Sequence, residues 1–116
     1  MTGPNAAALR LGQRLDELHK VIESLRDAEQ DAISKRMDAD ISESKAFLTA
    51  EGSMDIRRHK ARVDTEQIEF QALAAEAHVR HLVRLMKEAQ ARVDAGRTYS
   101  ADLRAELQTI GRDGTP

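Results

Sequence analysis

A run of cations is the first feature of this sequence that could bind a ligand. Residues 57–62 read Arg-Arg-His-Lys-Ala-Arg, and they follow a predicted helix start. A helix N-terminus already carries partial positive charge, so cations there are locally unfavourable. Free backbone N–H groups at the same end also favour anions, phosphate above all. We therefore predict a nucleic-acid phosphate site formed by Arg57, Arg58, Lys60 and Arg62.

A second basic group extends this prediction along the same helix. Its members are spaced i, i+4 and i+7 and so share one face; they are Arg80, Arg84 and Lys87. Phe70 is the only aromatic residue nearby, so base stacking is not expected and binding should be to the backbone and sensitive to salt. The alternative is a solvated helix flank, in which nearby Asp64, Glu66 and Glu69 neutralise the cations.

Catalytic and metal-binding patterns are weak by comparison. His78 and His81 are three residues apart with Glu76 nearby, but no second ligand pair is evident, and a surface histidine pair is the simpler interpretation. Residues 16–19 contain one carboxylate-x-x-His element, whereas di-iron bundles need two. The sequence lacks a nucleophile motif, a Gly-rich phosphate loop and cysteine. We predict no enzyme activity, no metal, no cofactor and no small-molecule substrate.

Two long stretches with helical periodicity must position these groups. Apolar residues recur at alternating steps of three and four, which is typical of a coiled-coil seam. Such a narrow stripe can cover only another helix, so we predict pairing within the chain and with other copies. The predicted oligomer seam consists of Leu11, Leu15, Leu18, Ile22, Leu25, Leu82, Met86, Val93, Leu103 and Leu107.

The seam is expected to shift in the middle of the chain. After Leu25 the next large apolar positions are Ile33, Met37, Ile41 and Leu48, which implies a four-residue insertion in the heptad pattern. In the first half of the second helix, the expected seam is a series spaced by seven and flanked by Ile68 and Leu73; the series is Ile56, Val63, Phe70 and Ala77.

The break between the two stretches is Glu51-Gly52-Ser53. Gly52 suits the left-handed position after a helix, and Ser53 suits the N-cap of the next helix, with Asp55 in its first turn. So short a connection favours an antiparallel hairpin. A continuous rod is the alternative, because one glycine inside a helix costs only about 1 kcal/mol.

These signals predict an all-α fold: a long antiparallel two-helix coiled-coil hairpin with a short C-terminal helical extension, assembled as an oligomer. We expect a flexible leader at 1–5, a single domain at 6–110 and a flexible tail at 111–116. Within the domain, helix 1 should cover about 6–50, the turn 51–53 and helix 2 about 54–95. At Gly96 the helix should kink or stop, and a short helix capped by Thr98 or Ser100 should cover about 98–110.

Composition agrees with long helices. Of the 116 residues, 33% are charged and only 3% are aromatic, which is unusual for a compact globular core. The net charge of −2 gives no general attraction to nucleic acid or membrane. No signal peptide is evident, and no apolar stretch approaches the roughly 20 residues of a membrane span. We therefore expect a cytoplasmic protein without a membrane partner.

Several segments together resemble a known group of proteins. These are Ala46-Phe47-Leu48-Thr49-Ala50-Glu51-Gly52-Ser53, the basic run after it, Ala75-Glu76-Ala77, and residues 97–106. The layout resembles uncharacterised small helical coiled-coil proteins of phages, especially phages of actinobacteria. It is also similar to the UvsY family of phage recombination mediators, helical ring-forming proteins that bind single-stranded DNA and help to load a recombinase. The resemblance implies that Arg57, Arg58, Lys60 and Arg62 contact DNA in the bacterial host cytoplasm.

Two functional hypotheses follow. The first is a non-enzymatic phage accessory protein, a homo-oligomer that binds single-stranded DNA together with a recombinase or a single-stranded-DNA-binding protein. The alternative is a structural or protein-interaction coiled coil without a nucleic-acid role, such as a virion or assembly component or an inhibitor of a host protein. In that case the basic cluster pairs with acidic residues of a neighbouring chain.

Overall fold

The chain is all-α, as predicted. A computed structural model describes residues 4–113, of which 95% are helical, and no strand occurs among them. The three helices are α1 (Pro4–Thr49), α2 (Met54–Asp64) and α3 (Glu66–Asp113). The described residues belong to two compact units, one of residues 4–23 with 84–113 and the other of residues 24–83.

The predicted turn between α1 and α2 is confirmed. Gly52 has a φ of +113°, a backbone conformation that side-chain-bearing residues rarely adopt. A Cβ at Gly52 would also lie 3.2 Å from Ile56 Cγ2. Ser53 is the N-cap of α2, and its Oγ accepts the Ile56 backbone N–H at 3.4 Å. Within residues 24–83 the chain therefore folds back into an antiparallel pair.

A one-residue irregularity at Thr65 separates α2 from α3, and the sequence did not predict it. The Thr65 N–H still donates to Ala61 O, and Glu69 N–H donates to Thr65 O, so helical hydrogen bonding continues across the break. The buried Thr65 hydroxyl also donates to Ala61 O at 2.7 Å. Such back-bonding by threonine commonly bends a helix. Within residues 24–83, α2 and the start of α3 therefore follow one path along α1.

The seam of the 24–83 unit is made mostly of alanine. Its buried residues keep a heptad spacing on both sides of the helix pair. They are Leu25, Ala28, Ala32 and Ala39 on α1, and Ala61, Thr65, Ala72, Ala75 and Leu82 on α2 and α3. Small side chains let two helix backbones approach closely. They also bury little apolar area per residue, so each contact stabilises the pair weakly.

The predicted shift of the seam after Leu25 is therefore wrong. The heptad continues from Leu25 through Ala28 and Ala32 to Ala39 without an insertion. The four large residues assigned to the shifted seam are all exposed; they are Ile33, Met37, Ile41 and Leu48. Alanine fills the seam where larger residues were expected.

The predicted seam at the start of the second helix is wrong for the same reason. Ile56, Val63, Phe70 and Ala77 are all exposed, as is the flanking Leu73. Val63 lies two residues from both Ala61 and Thr65 of the true seam. At 100° per residue, that spacing places it on the opposite side of the helix.

The seam of the other unit contains larger side chains and matches the prediction better. Val93 is fully buried, while Leu11, Leu18, Ile22, Met86 and Leu103 are partly buried. Leu15 and Leu107 are exposed, so their placement on a seam is not seen within this unit. Leu25 and Leu82, the remaining predicted seam residues, are buried in the 24–83 unit.

Gly96 neither ends the helix nor begins a separate one, because α3 continues without interruption to Asp113. The prediction of a distinct helix at about 98–110 is therefore wrong. A Cβ on Gly96 would lie 3.3 Å from Leu11 Cδ1, so the glycine makes room for that side chain. α1 begins at Pro4 rather than near residue 6, while residues 1–3 and 114–116 of the expected leader and tail lie outside the described residues.

Candidate interaction surfaces

Arg57, the first residue of the basic run, forms its hydrogen bonds within the chain itself. Its guanidinium donates to Phe47 O from Nε at 3.2 Å and from Nη2 at 3.1 Å. The same group lies over the Phe47 ring, 4.4 Å from the ring centroid, within cation–π range. The end of α1 presents unpaired carbonyl groups, so these bonds satisfy one of them and join α2 to it. Arg57 is therefore a structural residue of the turn.

The other three cations of the run remain exposed. Lys60 Nζ reaches Glu51 O at 3.5 Å, the outer limit of a hydrogen bond, while Arg58 and Arg62 make no ion pair with any residue of 4–113. Both arginines still lie near acid: Arg58 borders a groove with Asp40 and Glu43, and Arg62 borders one with Glu66 and Glu69. The local field is thus mixed in sign.

The second basic group is placed as the helical spacing predicted. Arg80, Arg84 and Lys87 are all exposed on α3. The Arg80 charge also helps to lower the pKa of Glu76, one turn before it. These cations are accessible, but Arg80 shares its surroundings with a carboxylate of its own chain.

An ion-pair cluster across the 24–83 seam was not predicted. Arg36 of α1 donates from Nη1 to both carboxylate oxygens of Glu69, at 2.9 and 2.8 Å. Its Nη2 donates to Glu76 Oε1 at 2.6 Å, and Asp40 Oδ1 lies 3.8 Å from Nη1. Glu69 and Glu76 are seven residues apart, so both reach α1 from one side of α3. We call Arg36, Glu69 and Glu76 the Arg36 clamp.

The Arg36 clamp shifts the pKa values of Arg36 and Glu76. Hydrogen bonding by the Arg36 guanidinium holds the pKa of Glu76 below its usual range. The two carboxylates, Glu76 first and Glu69 second, raise the pKa of Arg36 above its ordinary value. Arg36 and Glu76 therefore remain charged at neutral pH, and their 2.6 Å contact has the geometry of a charge-assisted hydrogen bond.

Large apolar side chains cover the outer face of α1 in the 24–83 unit. They are Ile33, Met37, Ile41 and Leu48, and we call them the α1 stripe. Met37 is two residues from the buried Ala39, and Ile41 is two residues beyond it, so both point away from the seam. Leu48 is 72% exposed. Nothing in residues 24–83 covers this stripe.

A second stripe covers the outer face of α2 and the start of α3. It consists of Ile56, Val63, Phe70 and Leu73, which we call the α2–α3 stripe. Phe70 is 66% exposed, although a phenylalanine side chain normally contributes much to a core. The 24–83 unit thus carries one apolar stripe on the outside of each half of its helix pair. Contiguous exposed apolar surface of this kind is typical of interaction sites.

An open groove of about 660 Å³ lies at the turn end of the same unit. Leu48, Phe47 and Met54 give it an apolar wall, while Asp40, Glu43 and Arg58 give it charge. The groove adjoins the end of the α1 stripe. It extends the exposed apolar surface up to the turn between α1 and α2.

His78 and His81 are exposed, with stacked rings inclined by 26° whose centroids lie 6.5 Å apart. In residues 4–113 no group of three His, Cys, Asp or Glu side chains could hold a metal ion. Among the described helices, none combines the length and the apolar character needed to cross a membrane.

Comparisons with known proteins gave no relative. The chain matches no protein-family model, no curated protein and no solved structure at a significant level. The surfaces described above are therefore the observations from which function must be inferred.

Proposed function

We propose that this chain is a non-enzymatic helical interaction protein that binds a protein partner through the outer faces of residues 24–83. The observation that carries this proposal is the pair of exposed apolar stripes. The alanine seam holds the helices together, while the larger residues, from Ile33 to Leu73, are left outside. Helices that lay an apolar face on a partner helix use such spacing.

Charge supports a protein partner over a nucleic acid as the main ligand. Residues 24–83 carry nine Lys and Arg against twelve Asp and Glu, so this unit has a net negative charge. Arg57 and Arg36 are engaged within the chain itself. A polyanion would therefore meet carboxylates beside most of the remaining cations.

Site-specific photo-crosslinking tests this proposal. A photoreactive side chain is placed at Met37 or at Leu73, one in each stripe, and at exposed Gln90 outside the unit as the matched control. In cells that express the chain, we expect defined crosslinked protein bands from Met37 and Leu73 but not from Gln90. Equal or absent crosslinking at all three positions would contradict the proposal.

A second candidate function is single-stranded DNA binding, as expected of a phage recombination accessory protein. It is favoured by the exposure of Arg58, Lys60 and Arg62 at the start of α2. These three are the candidate phosphate ligands that remain in the first basic run, since Arg57 is bonded to Phe47 O. Each phosphate contact would add to the salt dependence of binding.

Fluorescence anisotropy with labelled single-stranded DNA separates the two functions. If this candidate is right, the Arg58→Ala/Arg62→Ala variant binds at least about tenfold more weakly at low salt and has a smaller salt slope. The matched control is Arg10→Ala/Arg97→Ala, which also removes two exposed arginines. The same loss in both variants, or no binding by the wild type at low salt, leaves protein interaction alone.

A further inference from the structure

The methionines of residues 4–113 differ in exposure according to the surface on which they lie. Met37 is 57% exposed and Met54 is 55% exposed, whereas Met86 is partly buried on the seam of the other unit. Met37 is a member of the α1 stripe, and Met54 forms part of the apolar wall of the groove that adjoins it. Both exposed methionines therefore belong to the surface that the proposed function uses.

Methionine sulfur can be oxidised reversibly, and the chain has no cysteine whose thiol would react first. A sulfur lone pair attacks one oxygen of a hydroperoxide, the O–O bond breaks, and the peroxide leaves as water or an alcohol with the proton of the transferred oxygen. The sulfur loses two electrons and becomes a sulfoxide. This reaction converts a flexible apolar side chain into a polar one.

We propose that Met37 and Met54 are paired oxidation sites, at which a hydroperoxide forms two sulfoxides that weaken binding of the protein partner while the helix pair stays folded. This inference rests on the proposed function and adds a form of regulation to the same surface. It depends on two properties of these positions: oxidation must leave the seam intact, and it must change the surface that a partner covers.

The seam of the 24–83 unit contains neither sulfur. Met37 lies two residues from the buried Ala39, a spacing that places the two side chains on opposite sides of α1. Met54 is the first residue of α2, seven residues before the first buried residue of that helix, Ala61. A sulfoxide oxygen at either position remains in water in the free chain, so oxidation should not separate the helices.

The bound state should respond differently from the free chain. A partner that covers the α1 stripe and the groove removes both positions from water. A sulfoxide oxygen is a strong hydrogen-bond acceptor, and its burial without a donor is unfavourable. An apolar partner surface, which suits the unmodified thioethers, offers no such donor. Oxidation should therefore weaken binding without changing the fold.

Peptide mapping tests whether oxidation is selective. The purified chain is treated with hydrogen peroxide, quenched at intervals and cleaved after Lys and Arg, which leaves Met37, Met54 and Met86 in separate peptides. We expect the two exposed methionines to be oxidised at least about threefold faster than Met86. Helical circular dichroism should be unchanged when both are sulfoxides. Equal rates at all three positions, or loss of helicity, would overturn the inference.

Glutamine, a polar side chain of similar size, tests the effect on binding without an oxidant. A photoreactive side chain at Ile41 reports on the α1 stripe and leaves both methionines in place. In cells, Met37→Gln/Met54→Gln should reduce the crosslinked bands at least about fivefold, and Met37→Leu/Met54→Leu should keep them. The matched control is Leu9→Gln/Ile110→Gln, which changes two exposed apolar residues outside the unit and should have no effect.

Direct oxidation links the two measurements. The purified chain with the photoreactive group at Ile41 is added to an extract of the same cells before peroxide treatment, after it, and after repair by methionine sulfoxide reductase. We expect the crosslinked bands to weaken on oxidation and to return on repair. The Met37→Leu/Met54→Leu variant should be insensitive to the treatment, because it lacks both thioethers.

The outcomes separate this inference from the proposed function. If crosslinks form from Ile41 and persist when both sulfoxides are present, the oxidation inference fails while the proposed function stands. The same holds if the leucine variant loses its crosslinks on oxidation as the wild type does. If the untreated chain forms no crosslink from Ile41 or from either stripe, both fail.

Discussion

Each of the two units of this chain has a seam with a seven-residue repeat, but the two seams contain different side chains. In residues 4–23 and 84–113, leucine, isoleucine, methionine and valine share the seam with the buried Ala7 and Ala89. In residues 24–83 alanine occupies most of them, and the large apolar residues lie on the outer faces. The first unit places large apolar residues on its own seam, whereas the second leaves most of its large apolar residues exposed.

Enlarging the alanine seam should have the largest effect on stability. Ala39 and Ala72 are 1% and 0% exposed, so Ala39→Leu/Ala72→Leu would force the helices of the 24–83 unit apart. Overpacking costs about 1–3 kcal/mol per site, hence about 2–6 kcal/mol for the pair. Urea unfolding followed by helical circular dichroism measures this loss. An unchanged midpoint would mean that the alanines are not closely packed.

In the other unit, shortening a buried side chain should be destabilising. Val93 is 0% exposed, and Val93→Ala would remove two methyl groups and leave a cavity. We expect a loss of about 2 kcal/mol in the free energy of unfolding, measured in the same way. Val63→Ala is the matched control, because Val63 is exposed. Equal losses from both changes would contradict the assignment of the two faces.

Removal of the Arg36 clamp should have a smaller effect than either seam change, since all three side chains are partly exposed. Arg36→Met keeps the apolar stem but leaves Glu69 and Glu76 without their shared cation. We expect a lower urea midpoint near neutral pH. Lys35→Met, which breaks only the exposed pair with Asp31, is the control and should shift the midpoint less.

The same variant should alter the dependence of stability on pH. Because the folded pKa of Glu76 is depressed, its contribution is fully present above the usual glutamate pKa of about 4.3 and is lost as the pH falls through the lower folded value. The gap between wild type and Arg36→Met should therefore be widest near neutral pH and should narrow below about pH 4. A gap independent of pH would show that Glu76 does not gain from Arg36.

The smallest effect is expected on the α1 stripe. Ile33 is 61% exposed, so Ile33→Gln should change the unfolding free energy of dilute, monomeric protein by less than about 0.5 kcal/mol. Such a result would separate this isoleucine from the seam. A loss of unfolding free energy comparable to that of Val93→Ala would instead indicate that Ile33 is buried in a core.

A structural feature could be predicted from the sequence when the residues that determine it lie close together along the chain or share one helical repeat. The turn was predictable because the conformation of Gly52 and the cap formed by Ser53 act within a few residues. The seam of the unit that contains Val93 was predictable because its large apolar residues coincide with the heptad. Both signals lie in the chain itself, without knowledge of which helix is opposite.

The alanine seam escaped prediction because large apolar residues give the stronger periodic signal. Ile33, Met37 and Phe70 form their own helical spacing, which predicts a core face, whereas alanine contributes little to hydrophobic periodicity. The structural role of Arg57 could not be predicted for a related reason. Arg57 bonds to Phe47 O only once α1 and α2 are brought together, a contact that spacing along one helix does not reveal.

The Arg36 clamp has a consequence for how the helices of residues 24–83 are aligned. Most of the buried seam residues are small, so the seam distinguishes one heptad alignment of α3 from the next less sharply than large residues would. The side chains at the clamp's position along the helix, however, run Arg62, Glu69, Glu76, Val83. A slide in one direction sets Arg62 against Arg36, and in the other it replaces a carboxylate with valine. Of these alignments, only the observed one gives Arg36 two acids, so a single guanidinium adds to the register information of the seam.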